Sequence, residues 1–199
     1  MTQEALFPNV KGYEFKEAKD FSSAISDMCE VAGELEKKRR ELAIRSDFNI
    51  CDVYKMFTRL DLQKKGVDCD DLYSTIVDNL GLDITRDEIF MLFYAVDKDG
   101  DGFLDREEMA DCFMPRQPEY ASILKQRGGF HGGESDLNKY FLGDTRNSIT
   151  RFIRGFVECE VSMEHIRQKI MKKVMVKPDA AFNTMDASDK GYLTLEDFK

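Results

Sequence analysis

Residues 97 to 108 read Asp97-Lys98-Asp99-Gly100-Asp101-Gly102-Phe103-Leu104-Asp105-Arg106-Glu107-Glu108. Acidic side chains stand at positions 1, 3, 5, 9 and 12 of this segment, with glycine at position 6. A hard divalent cation such as Ca²⁺ takes roughly six to eight oxygens, and this spacing offers them from one turn of chain. Asp97, Asp99 and Asp101 each provide a carboxylate oxygen. Phe103 provides its backbone carbonyl, so its side chain is immaterial. Asp105 acts directly or through a water, and Glu108 reaches back with both oxygens. Gly102 supplies the positive φ that turns the chain around the ion. An acidic turn that merely caps a helix has no reason to match five ligand positions and the glycine together.

The flanking residues are built to hold such a loop. Thr85 and Glu88 have the spacing of a capping box at the start of an incoming helix. Ile89, Phe90, Phe93 and Val96 then give that helix an apolar face, and Met109, Cys112 and Phe113 repeat the spacing after the loop. Over residues 86 to 114 the helix, loop and helix resemble the EF-hand superfamily. The resemblance implies an all-α fold of paired helix-loop-helix units, and a short β-bridge at Leu104 shared with a second loop. It also implies Ca²⁺ as the ion, with Mg²⁺ as an occupant at rest.

One helix-loop-helix cannot bury its apolar face alone, so partners are expected at a similar period. Phe57 and Leu60 precede Asp61 as Phe93 and Val96 precede Asp97, 36 residues later. The segment from Asp61 to Asp71 resembles a loop one residue short, with Val67 in the place of Leu104. Lys64 and Lys65 stand where acids belong, so this hand is expected to bind no Ca²⁺. Asn49 and Asp52 read as the cap of its first helix. Near the C-terminus, Phe182 and Met185 precede a loop running from Asp186 to Asp197. Gly191 and Leu193 keep positions 6 and 8, but Lys190 puts an ammonium at a ligand position. Asp197, shorter than Glu at position 12, suits Mg²⁺-like coordination if anything. Its best partner is a cryptic loop over Tyr140 to Thr150, followed by a helix carrying Phe152, Ile153, Phe156 and Val157. The expected organisation is an N-terminal extension (1–46), a hand pair (47–114), a Pro/Gly linker (115–134) and a degenerate hand pair (135–199).

Outside the hands, a helix is expected from about Glu14 to Ile44. Phe21, Ile25, Met28, Ala32, Leu35, Arg39 and Leu42 follow a heptad seam broken once by Arg39. Three heptads are marginal for an independent coiled coil, so the helix is read as packing back on the hands. Tyr120 to Leu124 suit a short helix within the linker. Met163 to Val176 form a basic amphipathic helix whose apolar stripe suits a core or an acidic partner. The last loop is followed by few residues, and a lobe lacking its final helix would offer a groove to a partner's helix.

Composition narrows the function. Asp47 to Phe113 carry seventeen acidic residues against seven basic ones, whereas Met114 to Lys177 carry seven against twelve. The acidic excess surrounds the loop and suits a cation, not nucleic acid. No apolar run is long enough to span a membrane, and no signal-peptide pattern opens the chain. Five scattered cysteines without a CxxC pair suit a reducing, cytoplasmic setting. No P-loop, nucleophile–base pair or HExxH motif points to an enzyme. Two binding functions follow. In the first, Ca²⁺ draws Glu108 inward and opens a groove for a protein partner such as an amphipathic helix. In the second, the hands are a docking framework that Ca²⁺ stabilises. Phe113-Met114-Pro115 and Tyr120-Ala121 after a degenerate and then a complete loop loosely resemble EF-hand proteins of ciliary and flagellar axonemes. That resemblance implies a cytoskeletal partner and a cilium.

Overall fold

The computed structural model describes residues 15–58, 65–127, 141–173, 182–183, 185–186 and 188–194, without the side chains of 15–22 and 171–173. The described residues are helical, joined by turns and one isolated β-bridge, an all-α fold. The chain divides into two compact units. One comprises Met1–Cys29 with Glu164–Lys199, and the other Glu30–Met163. The second holds the loop of interest.

Helix α1 runs Phe15–Ala43, close to the expected bounds. Among the described residues, its seam is buried at Leu35, Arg39 and Leu42 in the last turns, half-buried at Ile25 and Met28, and exposed at Ala32. Ion pairs on this stretch, Lys37–Glu34 and Arg39–Glu36, are spaced i,i+3. A tight turn follows, closed by Phe48 N–H donating to Arg45 O at 3.2 Å. Helix α2 runs Ile50–Thr58. Asn49 caps it as expected, its Oδ1 accepting from Asp52 N at 2.8 Å. Asp52 is fully buried and is compensated by Lys55 Nζ at 3.3 Å.

Helix α3 (Cys69–Ser74) opens on Asp68, whose Oδ1 accepts from Asp71 N at 2.8 Å. It runs on into one π-helical turn, Thr75–Asn79. Helix α4 spans Arg86–Val96, and α5 spans Arg106–Phe113. Val67 and Leu104 then exchange two backbone hydrogen bonds, of 3.0 and 2.8 Å, in the expected antiparallel bridge.

The segment after α5 packs on α1. Arg116 N donates to Glu36 Oε1 at 2.9 Å, and the Arg40 guanidinium lies 5.9 Å from the Tyr120 ring. Helix α6 (Pro118–Gln126) covers the short helix expected at Tyr120–Leu124 and buries Leu124. The glycine run 128–134 lies outside the described residues.

Helix α7 is continuous from Gly143 to Lys173. The stretch expected as a cryptic loop is therefore helical from Gly143 onward, and the basic helix expected to start at Met163 is its continuation. Ser148 Oγ and Thr150 Oγ1 each donate to the carbonyl four residues back, at 3.0 Å, so these loop-type residues are accommodated within the helix. Ile149, Phe152, Ile153, Phe156 and Val157 form one buried stripe at helical spacing. Asp47 fixes the start of α7, accepting from Leu142 N at 2.8 Å and Thr145 Oγ1 at 2.6 Å.

The core of the Glu30–Met163 unit lies where α7 enters the apolar groove of the four shorter helices. Phe152 packs on Phe113 with ring centroids 4.7 Å apart, and Phe48 joins Phe113 at 6.1 Å. Phe57, Ile76, Met109, Phe113, Phe152 and Phe156 line a remaining cavity of only ≈ 20 Å³. Each large apolar side chain buried here contributes about 1.5–3 kcal/mol, so the groove gains several such terms from α7.

Candidate metal centre

The two helices that flank the loop each open on a reciprocal cap. At the start of α4, Thr85 Oγ1 accepts from Glu88 N at 3.3 Å, and Glu88 Oε2 accepts from Thr85 N at 2.8 Å. The Thr85 N–H, together with the Thr85 hydroxyl that donates to the same Oε2 at 2.7 Å, keeps the Glu88 carboxyl below its ordinary pKa. At the start of α5, Asp105 Oδ1 accepts from Glu108 N at 2.8 Å, and Glu108 Oε2 accepts from Asp105 N at 3.0 Å. Asp105 and Glu108 are thus both expected ligands and the capping pair of α5.

Between the caps the chain winds on its own carboxylates. The Asp97 N–H closes α4 on Phe93 O at 2.8 Å. Asp97 Oδ1 accepts from Gly100 N at 2.8 Å and Oδ2 from Gly102 N at 3.1 Å. Those donations require φ of 71° and 81° at the two glycines, a region closed to most other residues. Asp99 Oδ1 accepts from Asp101 N at 3.1 Å, and Asp101 Oδ1 from Phe103 N at 2.8 Å. Glu108 Oε1 crosses the ring to accept from Lys98 N at 2.8 Å.

Of the six expected ligands, Asp97, Asp99 and Glu108 are brought together. One oxygen of each lies within 4.8 Å of the others. Oxygens on opposite sides of a Ca²⁺ ion are separated by about 5 Å, twice the metal–oxygen distance, so the trio fits that ion. The Asp101 carboxylate is turned instead to Lys65, at 2.8 Å. That ammonium, helped by the Phe103 N–H, holds the Asp101 carboxyl below its usual pKa. Lys65 also lies 4.8 Å from the Phe103 ring. Asp105 is occupied as a cap. Phe103 is half-buried at position 7, and Lys98 points outward to Asp111.

Sequence reasoning treated Lys65 only as a defect of the first loop and missed its contact with the second. Nothing in the spacing marks it; the Val67–Leu104 bridge brings Lys65 across. The described acids of the first loop are employed elsewhere, Asp68 as the cap of α3 and Asp70 in a 2.8 Å pair with Arg86. Residues 59–64, with Asp61 and Lys64, lie outside the described residues. Gly66 is buried against the second loop. A Cβ on it would stand 2.8 Å from Leu104 O and 3.0 Å from Phe103 Cβ, closer than packed atoms come.

The EF-hand domain pair family matches residues 53–114, a span that begins in α2 and ends just after α5. Residues 53–114 are an EF-hand pair. No curated protein and no solved structure matches the chain. EF-hand domains are typically Ca²⁺-binding, regulatory modules. No described helix is long and apolar enough to cross a membrane.

In its described residues, 186 and 188–194, the loop from Asp186 repeats backbone features of the 97–108 loop. Asp186 N donates to Phe182 O at 2.8 Å, and Gly191 N, at φ 77°, donates to Asp186 Oδ2 at 2.6 Å. Asp189 takes φ 52°, the conformation Gly100 has at the same position. The Lys190 ammonium sits among the positions where ligands would gather, donating to Ser188 Oγ at 2.8 Å and lying 3.6 Å from Asp186 Oδ1. Asp197 lies outside the described residues.

Proposed function

We propose that this protein binds one Ca²⁺ in the 97–108 loop, and that the metal consolidates a docking framework. Asp97, Asp99 and Asp101 are the side-chain ligands, Phe103 contributes its carbonyl, Asp105 acts directly or through a water, and Glu108 binds with both oxygens. The convergence of Asp97, Asp99 and Glu108 within 4.8 Å supports the site. Mg²⁺ is the competing occupant at rest, since it accepts the same hard oxygens in a tighter shell.

One observation weighs between opening and stabilising. The groove that a sensor would expose on loading already holds Phe152 and Phe156 of α7, 1 and 9 % exposed. This supports the reading in which Ca²⁺ stabilises an assembled body that presents its outer surface to protein partners. The sensor reading requires α7 to leave the groove. A cytoskeletal or ciliary partner and a cytoplasmic location stay with the sequence resemblance alone.

Calorimetric titration of the full chain with Ca²⁺, followed in parallel by a hydrophobic-surface dye, tests both parts. One ion should bind with no rise in dye fluorescence; a large rise would restore the opening sensor. Glu108→Gln should weaken binding at least about tenfold, because it removes a ligand charge. Undiminished affinity would sink the ligand assignment.

A further inference from the structure

Arg39 breaks the apolar seam of α1, and its surroundings give the break a use. Its side chain is buried, with the residue only 8 % exposed. Arg39 Nε donates to Cys112 O at 2.7 Å. That carbonyl is in the last turn of α5, where helix carbonyls lack partners within the helix. The guanidinium also stands 6.0 Å from the Phe152 ring centroid and 5.8 Å from that of Phe156. Glu36 Oε2, at 3.6 Å, supplies the nearby counter-charge. One side chain of α1 therefore touches both α5 and the helix that fills the groove.

Helix α5 is short, eight residues or about 12 Å at 1.5 Å per residue. It moves as a rod, so the position of one end fixes the other. Its N-terminal end carries Glu108 and its C-terminal end carries the carbonyl that Arg39 holds. The helix is not close-packed on all sides. Glu108, Asp111 and Cys112 face a cavity of ≈ 460 Å³ that Arg39 and Phe156 also line. Without the contact at Cys112 the rod has room to tilt into that space, carrying Glu108 away from Asp97 and Asp99.

We propose that Arg39 is a positioning residue for the metal site, a latch that holds α5 at the tilt where Glu108 meets the ion. It touches no ligand and acts through the helix. The inference rests on the reading of 97–108 as a Ca²⁺ loop and adds to it a determinant 58 residues upstream of the first ligand. By reciprocity, an ion that pulls Glu108 into place also tightens the contact at Cys112 O.

The test uses the full chain. Arg39→Leu restores the apolar seam but takes the counter-charge from Glu36, so a lower melting temperature in EDTA is expected. The variant should still fold, yet bind Ca²⁺ about tenfold more weakly, within the roughly 5- to 150-fold span of coupling factors. Wild-type affinity in a folded Arg39→Leu protein overturns the latch. Failure of Arg39→Leu to fold overturns it too, since a latch is dispensable to the fold. Independently, hydrogen exchange of the wild-type amides of Cys112 and Phe113 should slow at least about threefold on Ca²⁺ addition, and unchanged exchange contradicts the coupling. If the wild type binds no Ca²⁺ at all, the loop assignment has failed instead.

Discussion

The loops beginning at Asp97 and Asp186 share backbone features and differ in what fills them. Each starts on an aspartate whose N–H closes the preceding helix at 2.8 Å. Each turns through a positive φ at position 4 and a glycine at position 6, and in each that glycine donates to the first aspartate. At position 5 they part. The first loop has Asp101 there and turns Lys98 away to Asp111. The second has Lys190, whose ammonium lies on Asp186 and Ser188. Loop shape alone therefore does not fix which charge fills the ring. An internal ammonium can satisfy the same aspartate that an ion would, and a tethered charge needs no ion from solution.

Exchanging position 5 tests this contrast most severely. Asp101→Lys in the first loop should abolish Ca²⁺ binding in calorimetry, a loss of more than about 100-fold, since it removes a ligand and adds a like-charged competitor. A loop that still binds within tenfold of wild type would break the comparison. The reverse change, Lys190→Asp, should create a weak second site, with a dissociation constant on the order of 10⁻⁴ to 10⁻³ M. Titration should then reach two ions where the unaltered chain takes one. If none is gained, Ser188 at position 3 or the shorter Asp197 at position 12 limits that loop more than its ammonium. Smallest is the effect of Lys65, which pairs with Asp101 from outside the ring. Both partners are exposed to solvent, and such pairs contribute little. Lys65→Met should raise Ca²⁺ affinity about two- to threefold in the same titration, and a fall would show that Lys65 supports the loop instead of competing for it.

The metal centre was legible because its constraints are local. Ligand spacing, the position-6 glycine and the helix caps lie within a few residues of what they control, and the Val67–Leu104 bridge followed from the EF-hand resemblance. The capping box at Thr85 was likewise readable from one tetrad. What escaped depended on distance along the chain. The segment Gly143–Thr150 looked like a cryptic loop because Asp144, Ser148 and Thr150 are turn-type residues, yet their carbonyl and hydroxyl groups serve the helix once Phe152 and Phe156 enter the groove. Arg39 read as a fault in a seam because its two partners lie more than seventy residues away in sequence. Lys65 read as a lost ligand because its real contact is in the other loop.

Gly66 shows what the first loop still has to preserve. Its ring has traded ligand chemistry for lysines, while its backbone is pinned where Leu104 O leaves no space for even a methyl group. The first loop can lose its oxygens at little expense to its neighbour. It cannot widen at Gly66 without prying Val67 from Leu104 and distorting the loop that kept its carboxylates. Side chains of the first loop are therefore open to substitution where its contour is not, because the second loop is shaped against it at Gly66.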